Sequence, residues 1–338
     1  MQEKIISIDI SVENIALKRA FITALRRVDS VSFVRVRLVC SKGSEAIGEA
    51  PATFAITGED IESIVNSAEL LREGLIGLRA KEAVDFVQSS SVGSSAKAMF
   101  DMAFMKLLGF FKLENSEPIK TDITISLNSK ERMLLDAQDA YESGMEILKI
   151  KLGNDISHAI DVTKLLSENL QKAELLIDAN QAWSREESFL YVNAINSLKL
   201  ALIEQPVIAS DLESLKMIKE QSSISILADE AVFTLADVKK VVSTKSADMI
   251  NIKLMKCGGV SRAIEILEYA REHNVLCMLG SMLEGPHSIN AALYLAFNYR
   301  DVIKYVDLDS PLLYKTPSDA LDFIYDGATI SPRFSTPQ

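Results

Sequence analysis

Three carboxylates close three short apolar runs at nearly constant spacing. Asp178 follows Leu175-Leu176-Ile177, Glu204 follows Ala201-Leu202-Ile203, and Asp229 follows Ile226-Leu227-Ala228. The acids stand 26 and 25 residues apart. A buried parallel strand plus a returning helix consumes roughly that many residues when strands and helices alternate around a barrel. Each acid would then stand at the C-terminal end of a strand, on the rim where barrel sites are built. Three hard oxygen ligands converging there suit Mg²⁺, which is held by carboxylates and completes its octahedron with water and substrate.

The same period continues on both sides of the acids and carries lysines. Upstream, Ile147-Leu148-Lys149-Ile150-Lys151-Leu152 sets two lysines two residues apart, so both point to one face of a strand. Downstream, Met249-Ile250-Asn251-Ile252-Lys253-Leu254 ends on Lys253, 24 residues after Asp229. A lysine inside an apolar strand is expensive unless its charge is used or its pKa lowered. A single one could snorkel from an edge. Two lysine-bearing strands flanking three acid-bearing strands, all in register, point instead to a functional site.

The chain has 338 residues, enough for a barrel with an added domain. A net charge of −11 and the lack of a basic stretch exclude a nucleic-acid partner. No apolar run reaches the length of a membrane span, and the N-terminus lacks the apolar core of a signal peptide. Cys40, Cys257 and Cys277 are scattered and odd in number, which speaks against disulfides and structural zinc. The expectation is a cytoplasmic protein.

Residues 1–117 read as an α+β capping domain: alternating strands over Ile6–Ile10 and Ser32–Val39, then helical periodicity from Ile61 to about Leu108. Ser89 to Ser95 is a loop between helices, without the lysine or strand–helix context of a phosphate cradle. Residues 118–310 read as the barrel, opening on Ile119 to Ile125. Eight strands end near Ser126, Leu152, Asn180, Pro206, Asp229, Leu254, Ser281 and Asp309. Amphipathic helices lie between them, such as Asp161 to Leu170, Ser210 to Glu220 and Val260 to Glu272. No clear helix follows the eighth strand, and residues 311–338 would return to the cap. The fold class is α/β: a modified TIM barrel, (β/α)7β, with an N-terminal α+β cap. His158, His273 and His287 fall on helix surfaces or after Pro286, Trp183 follows the third strand, and no nucleophile elbow occurs.

These segments together resemble the enolase superfamily, in its muconate-lactonising subgroup, and within it the dipeptide epimerases. The resemblance rests on Thr23-Ala24-Leu25-Arg26, Gly48-Glu49-Ala50-Pro51, Leu148-Lys149-Ile150-Lys151, Asp178-Ala179-Asn180-Gln181, Glu204-Gln205-Pro206 and Ala228-Asp229-Glu230. It continues through Asn251 to Lys256, Gly258-Gly259, Gly280-Ser281-Met282-Leu283-Glu284 and Asp307-Leu308-Asp309. One departure is the short connection from Gly109 to Pro118.

The resemblance implies one Mg²⁺ per active site on Asp178, Glu204 and Asp229. It implies Lys151 and Lys253 as bases on opposite faces of the substrate carbon, with Lys149 pairing with the substrate carboxylate. A base must be neutral, so its pKa has to fall toward the working pH. Asp307 and Asp309 would clamp an α-ammonium group, and Arg26 would reach over the mouth to a side-chain carboxylate. Ile56, Thr124, Ser281 and Met282 would complete the substrate walls. The implied substrate is a small dipeptide of the Ala-Glu type, from cell-wall peptide turnover, and a homo-oligomer is compatible. N-acylamino-acid racemisation, o-succinylbenzoate synthesis and muconate cycloisomerisation stay open on the same scaffold, though their substrates offer no ammonium to the paired acids. A non-catalytic binding protein is the more distant alternative.

Overall fold

The computed structural model of the chain describes residues 3–22 and 27–333. It opens with an antiparallel sheet of β1 (Ile5–Ile22), β2 (Arg27–Cys40) and β3 (Glu45–Pro51), in that order. In β2, Val34, Val36, Leu38 and Cys40 are buried while Arg35 and Arg37 turn outward, the period of a half-buried strand. The third strand was not legible because six of its seven residues are at least half-buried, which erases the alternation. After the single turn α1 (Phe54–Thr57) come α2 (Ile61–Leu75), α3 (Ala80–Ser89) and α4 (Ser94–Leu107); α2 and α4 pack on the sheet, and α3 packs against them. Asp60 and Ser63 form a reciprocal capping box that fixes the start of α2. Helix α4 is apolar on almost every side because it is packed between sheet and barrel. Gly48 allows its approach, since a Cβ there would stand 1.7 Å from the Met99 carbonyl oxygen.

The barrel follows with eight parallel strands in sequential order. The short β4 (Ile119–Lys120) precedes β5 (Ile123–Ile125), then α5 (Lys130–Glu142), β6 (Ile147–Lys151) and α6 (Ile156–Asn169). Next come β7 (Glu174–Asp178), α7 (Arg185–Ile195), β8 (Leu202–Glu204), α8 (Leu212–Gln221), β9 (Ser225–Ala228) and α9 (Leu235–Thr244). The last third holds β10 (Met249–Lys253), α10 (Leu254–Cys257), α11 (Val260–Glu272), β11 (Leu276–Gly280), α12 (Pro286–Asn298) and β12 (Ile303–Asp307). Only the four-residue α13 (Ser310–Leu313) follows β12, so the architecture is (β/α)7β. The β12–β5 seam is closed by single bonds. Asp122 N donates to Val306 O at 3.0 Å, Leu308 N to Thr121 Oγ1 at 3.1 Å, and Thr124 N to Asp309 Oδ2 at 2.8 Å.

One segment differs from the sequence expectation. Ile119 and Lys120 do not enter the barrel; they pair antiparallel with β14 (Thr329–Pro332), which in turn pairs with β13 (Phe323–Asp326). Thr121 and Asp122 are drawn into the seam, which breaks the continuous strand that the residue pattern suggests. The C-terminal segment touches the cap where Tyr314 bridges Leu17 and Lys315 N donates to Ala16 O, then turns back along the barrel. The short 109–118 connection lies against α12: Phe111 stacks on Tyr294 at 5.0 Å, and the Asn298 amide bridges Lys112 O and Glu114 N. Among the described residues no helix is long and apolar enough to cross a membrane.

Candidate active site

Along each barrel strand, alternate side chains point inward and build layers. Leu176, Leu202, Leu227, Met249, Met278 and Tyr305 make one buried apolar cluster. Two residues further along the same strands stand Asp178, Glu204, Asp229, Asn251, Gly280 and Asp307. Parallel register sets Lys149 beside Leu176 and Lys151 beside Asp178, then Asp178 beside Glu204. The chemistry-bearing layer is therefore the C-terminal one.

Each strand-end acid meets an ammonium group. Lys151 Nζ lies 2.5 Å from Asp178 Oδ2, Lys149 Nζ 2.7 Å from Glu204 Oε2, and Lys253 Nζ 2.7 Å from Asp229 Oδ2. Lys149 is wholly buried and also approaches Asp307 Oδ2 at 2.7 Å and Asp178 Oδ2 at 3.2 Å. Lys149 reaches Glu204 Oε2 off the direction of a hydrogen bond, so this buried oxygen has no hydrogen-bond donor. The other Glu204 oxygen accepts from Asn251 Nδ2 at 2.8 Å. Burial, then the charge of Asp178, pushes the Glu204 carboxyl up to about 8. Three crowded carboxylates with an undersupplied oxygen fit a hard divalent cation.

The turns after the strands are held in unusual backbone. Asn180, Gln181 and Gln205 have φ of 46°, 65° and 38°, in the left-handed region. Asn180 N donates to Asp178 Oδ1 at 2.9 Å, which orients that carboxylate. The buried Gln205 side chain accepts from Asp229 N and Ala231 N and donates to Val207 O, stitching the β8 rim to the β9 rim. Such strain persists only where surrounding bonds over-determine it.

Lys256 is a further buried ammonium on Asp229, 2.5 Å from Oδ1, and it also donates to Asn251 O. Burial opposes the positive charge on Lys253, but Asp229 and, further off, Glu204 and Asp307 outweigh it and hold the ammonium above its ordinary range. The sequence reading asks a base lysine to fall toward the working pH; in this arrangement the facing carboxylate acts the other way. Gly280 makes space for Lys253, because a Cβ would stand 3.1 Å from Lys253 Cε and 2.8 Å from Asn251 Oδ1.

A cleft opens over this rim, lined by Lys151, Lys253, Thr124, Asp307 and Asp309. Ile56 from α1 and the Ser281-Met282-Leu283 turn after β11 form other walls, with Phe21, Thr53 and Ala55 from the cap. Asn180 and Glu230 reach the same cleft, the latter with its carboxyl pushed up to about 7 by burial and by Asp229. Asp178, Glu204, Asp229 and Lys149 are buried and do not line it, although Lys151 and Lys253, which do, contact Asp178 and Asp229; Arg26 lies outside the described residues. Asp122, Asp307 and Asp309 bring carboxylate oxygens within 4.8 Å of one another at the seam.

The cap is tied to this rim by buried acids. Glu49 accepts from Arg35, from His287 N at 2.9 Å and from Ser288 N at 3.4 Å, at the N-terminus of α12. Asp101 of α4 accepts from Ser261 N at 2.9 Å and from its hydroxyl. Glu284 accepts from Met282 N and Ser288 Oγ, bracing the turn that lines the cleft. His287 is half-buried, and burial, then Arg35, lowers it to about 4, so it is neutral at ordinary pH.

Sequence reasoning did not single out Asp122, Asn180, Gln205, Glu230 or Lys256 as site residues. Glu230 and Lys256 had a signal, since each lies within three positions of a strand-end residue that was chosen. Gln205 lies beside Glu204 as well, but its role depends on bonds across strands that sequence position does not show.

Residues 132–329 match the family model described as Enolase C-terminal domain-like. The chain is 53% identical to an L-amino acid-D/L-Glu epimerase of Sulfurimonas denitrificans, over 97% of this chain and 99% of that one. It superposes with a TM-score of 0.91 and 35% identity on the substrate-liganded L-Ala-D/L-Glu epimerase of Bacillus subtilis, covering 98% and 96% of the two chains. The Enterococcus faecalis dipeptide epimerase complexed with Mg and L-Leu-L-Tyr gives a TM-score of 0.90 at 29% identity, covering 98% of each chain.

Proposed function

The chain belongs to the enolase superfamily, and from that premise we propose that it is a Mg²⁺-dependent dipeptide epimerase. It inverts the α-carbon of the C-terminal residue in Ala-Glu-type dipeptides. The observation that carries this reading is that Lys151 and Lys253 line one cleft from β6 and β10, with three strands between them in the sheet. Two bases on opposite walls let a proton leave one face of a carbon and return to the other.

Asp178, Glu204 and Asp229 are the residues we assign to hold Mg²⁺. When bound, the ion supplies positive charge beside the substrate carboxylate, which makes the neighbouring proton removable. Lys149 adds buried positive charge. Lys151 and Lys253 are assigned to take and return the proton on their own faces; Lys253 must first lose the charge that Asp229 holds on it, and a cation on Asp229 would compete for that carboxylate. Asp307 and Asp309 receive the α-ammonium of the first residue through charge-assisted hydrogen bonds. Thr124, Ile56, Ser281 and Met282 bound the side chains, and Arg26 is assigned to the side-chain carboxylate. Three free cysteines fit a cytoplasmic setting.

The test is proton NMR of L-Ala-L-Glu in D₂O with enzyme, with and without Mg²⁺. Loss of the glutamyl α-proton signal together with appearance of L-Ala-D-Glu, only when Mg²⁺ is present, is the expected result. Full turnover after EDTA treatment, or preference for N-acetyl-Ala-Glu over the free dipeptide, would overturn it and favour N-acylamino-acid racemisation.

A further inference from the structure

We propose that Asp122 is a positioning residue for the ammonium receptor: a neutral carboxylic acid that donates a hydrogen bond to Asp307. The inference rests on the epimerase reading for its functional meaning and on the seam geometry for its chemistry. Asp122 is 1% exposed, and neither of its carboxyl oxygens meets a hydrogen-bond donor among the described residues. Its two neighbours are differently placed: Asp307 Oδ2 has Lys149 Nζ at 2.7 Å and Asp309 Oδ2 has Thr124 N at 2.8 Å. An ionised carboxylate without a donor, beside two other carboxylates, is the costliest state a buried group can take.

One proton removes the conflict. Protonated, Asp122 becomes a donor, and a carboxylate oxygen of Asp307 lies within 4.8 Å of one of its own. Burial, then the charge of Asp307, holds the Asp122 carboxyl well above the usual carboxylate range, with Asp309 adding to this and Lys149 opposing it. The backbone leaves the pair little freedom. Asp122 N donates to Val306 O at 3.0 Å, and Thr121 Oγ1 donates to Val306 O while accepting from Leu308 N. The two residues that flank Asp307 in sequence are thus pinned to the segment that carries Asp122.

Charge points the same way. With Asp122 neutral, Asp307 and Asp309 already carry two negative charges, against the substrate ammonium and a Lys149 ammonium that is shared with Glu204 and Asp178. An ionised Asp122 would leave a buried negative charge unmatched. The third acid therefore orients the receptor without adding to its charge.

The experiment compares Asp122→Asn, which keeps a neutral donor of the same shape, with Asp122→Leu, which keeps bulk and loses the donor. For L-Ala-L-Glu, Asp122→Leu should raise KM about tenfold, the loss of one charge-assisted hydrogen bond, with a smaller change in kcat. Asp122→Asn should recover KM to within about threefold of wild type. An ionised Asp122 that itself holds the ammonium predicts the reverse, with Asn losing as much as Leu, and that result overturns the proposal. Infrared difference spectra of the substrate-free enzyme at neutral pH provide a readout independent of turnover. A protonated-carboxyl C=O band present in wild type and absent in Asp122→Asn is expected, and no such difference overturns the proposal even if the Leu variant fails to fold. Were wild type inactive on free dipeptides, the epimerase reading would fall while the infrared result still decided the state of Asp122.

Discussion

Inside the barrel, the layer of Leu176, Leu202, Leu227, Met249, Met278 and Tyr305 and the layer of Asp178, Glu204, Asp229, Asn251, Gly280 and Asp307 are built by the same six strands. They lie two residues apart and obey opposite rules. The lower layer is dry and apolar and gains from burial. The upper layer gathers buried ammonium and carboxylate groups whose desolvation is only partly repaid by their mutual attraction. The period of two lets one strand serve both, so stability and chemistry can be altered separately on a single element.

The upper layer should respond to substitution mainly in rate. Glu204→Gln is expected to lower kcat/KM by about 10³-fold or more, because it removes a proposed ligand that brings several kcal/mol of charge stabilisation. The same change should leave the melting temperature equal or raised, since it relieves like-charge crowding around a donor-poor oxygen. Steady-state kinetics and thermal melts in metal-free buffer check both halves. A strongly destabilised Glu204→Gln would contradict the division between layers.

The lower layer should respond in stability. Leu202→Ala removes a fully buried side chain from the apolar cluster and is expected to cost about 2–5 kcal/mol in denaturant unfolding. Its kcat for the folded fraction should stay within a few-fold of wild type. Two residues along β8, Leu202 and Glu204 would thus separate the two properties.

The buried acid that braces the turn after β11 should show its cost in pH dependence. Burial pushes the Glu284 carboxyl up to about 7, although Ser288 and Met282 N hydrogen bonds oppose the shift. Between about 4.5 and 7 the folded chain keeps a proton that the unfolded chain has released. Stability therefore falls as pH rises through that window, by up to ~3 kcal/mol from this group. Glu284→Gln should flatten that decline, read as melting temperature against pH. An unchanged slope would remove Glu284 from the account.

The barrel was legible because its signal is local and repeated: a short apolar run, then a polar residue, every 25 or so positions. Strand ends inferred from sequence overshoot the structure by one or two residues, for instance Asn180 against Asp178, since Asp178-Ala179-Asn180 looks uniformly buried in either case. Ile119-Lys120 reads like the barrel strand it precedes, and only its antiparallel partner, more than 200 residues away, shows otherwise. Lysines and acids on strands announced the site because charge in an apolar run is conspicuous. Asp122 and Gln205 did not, because their meaning lies in contacts across the barrel seam and between strand ends. Arg26 lies outside the described residues, so its place over the cleft is carried by resemblance alone.

The central claim is that two lysines serve opposite faces of one carbon. Lys151→Ala and Lys253→Ala should each abolish epimerisation of Ala-Glu. Each should still exchange the glutamyl α-proton with D₂O, one variant from the L,L and the other from the L,D isomer, as followed by NMR. Opposite stereochemical preferences in the two variants are the predicted result. Epimerisation near the wild-type rate in either variant, or exchange from the same isomer in both, would contradict it.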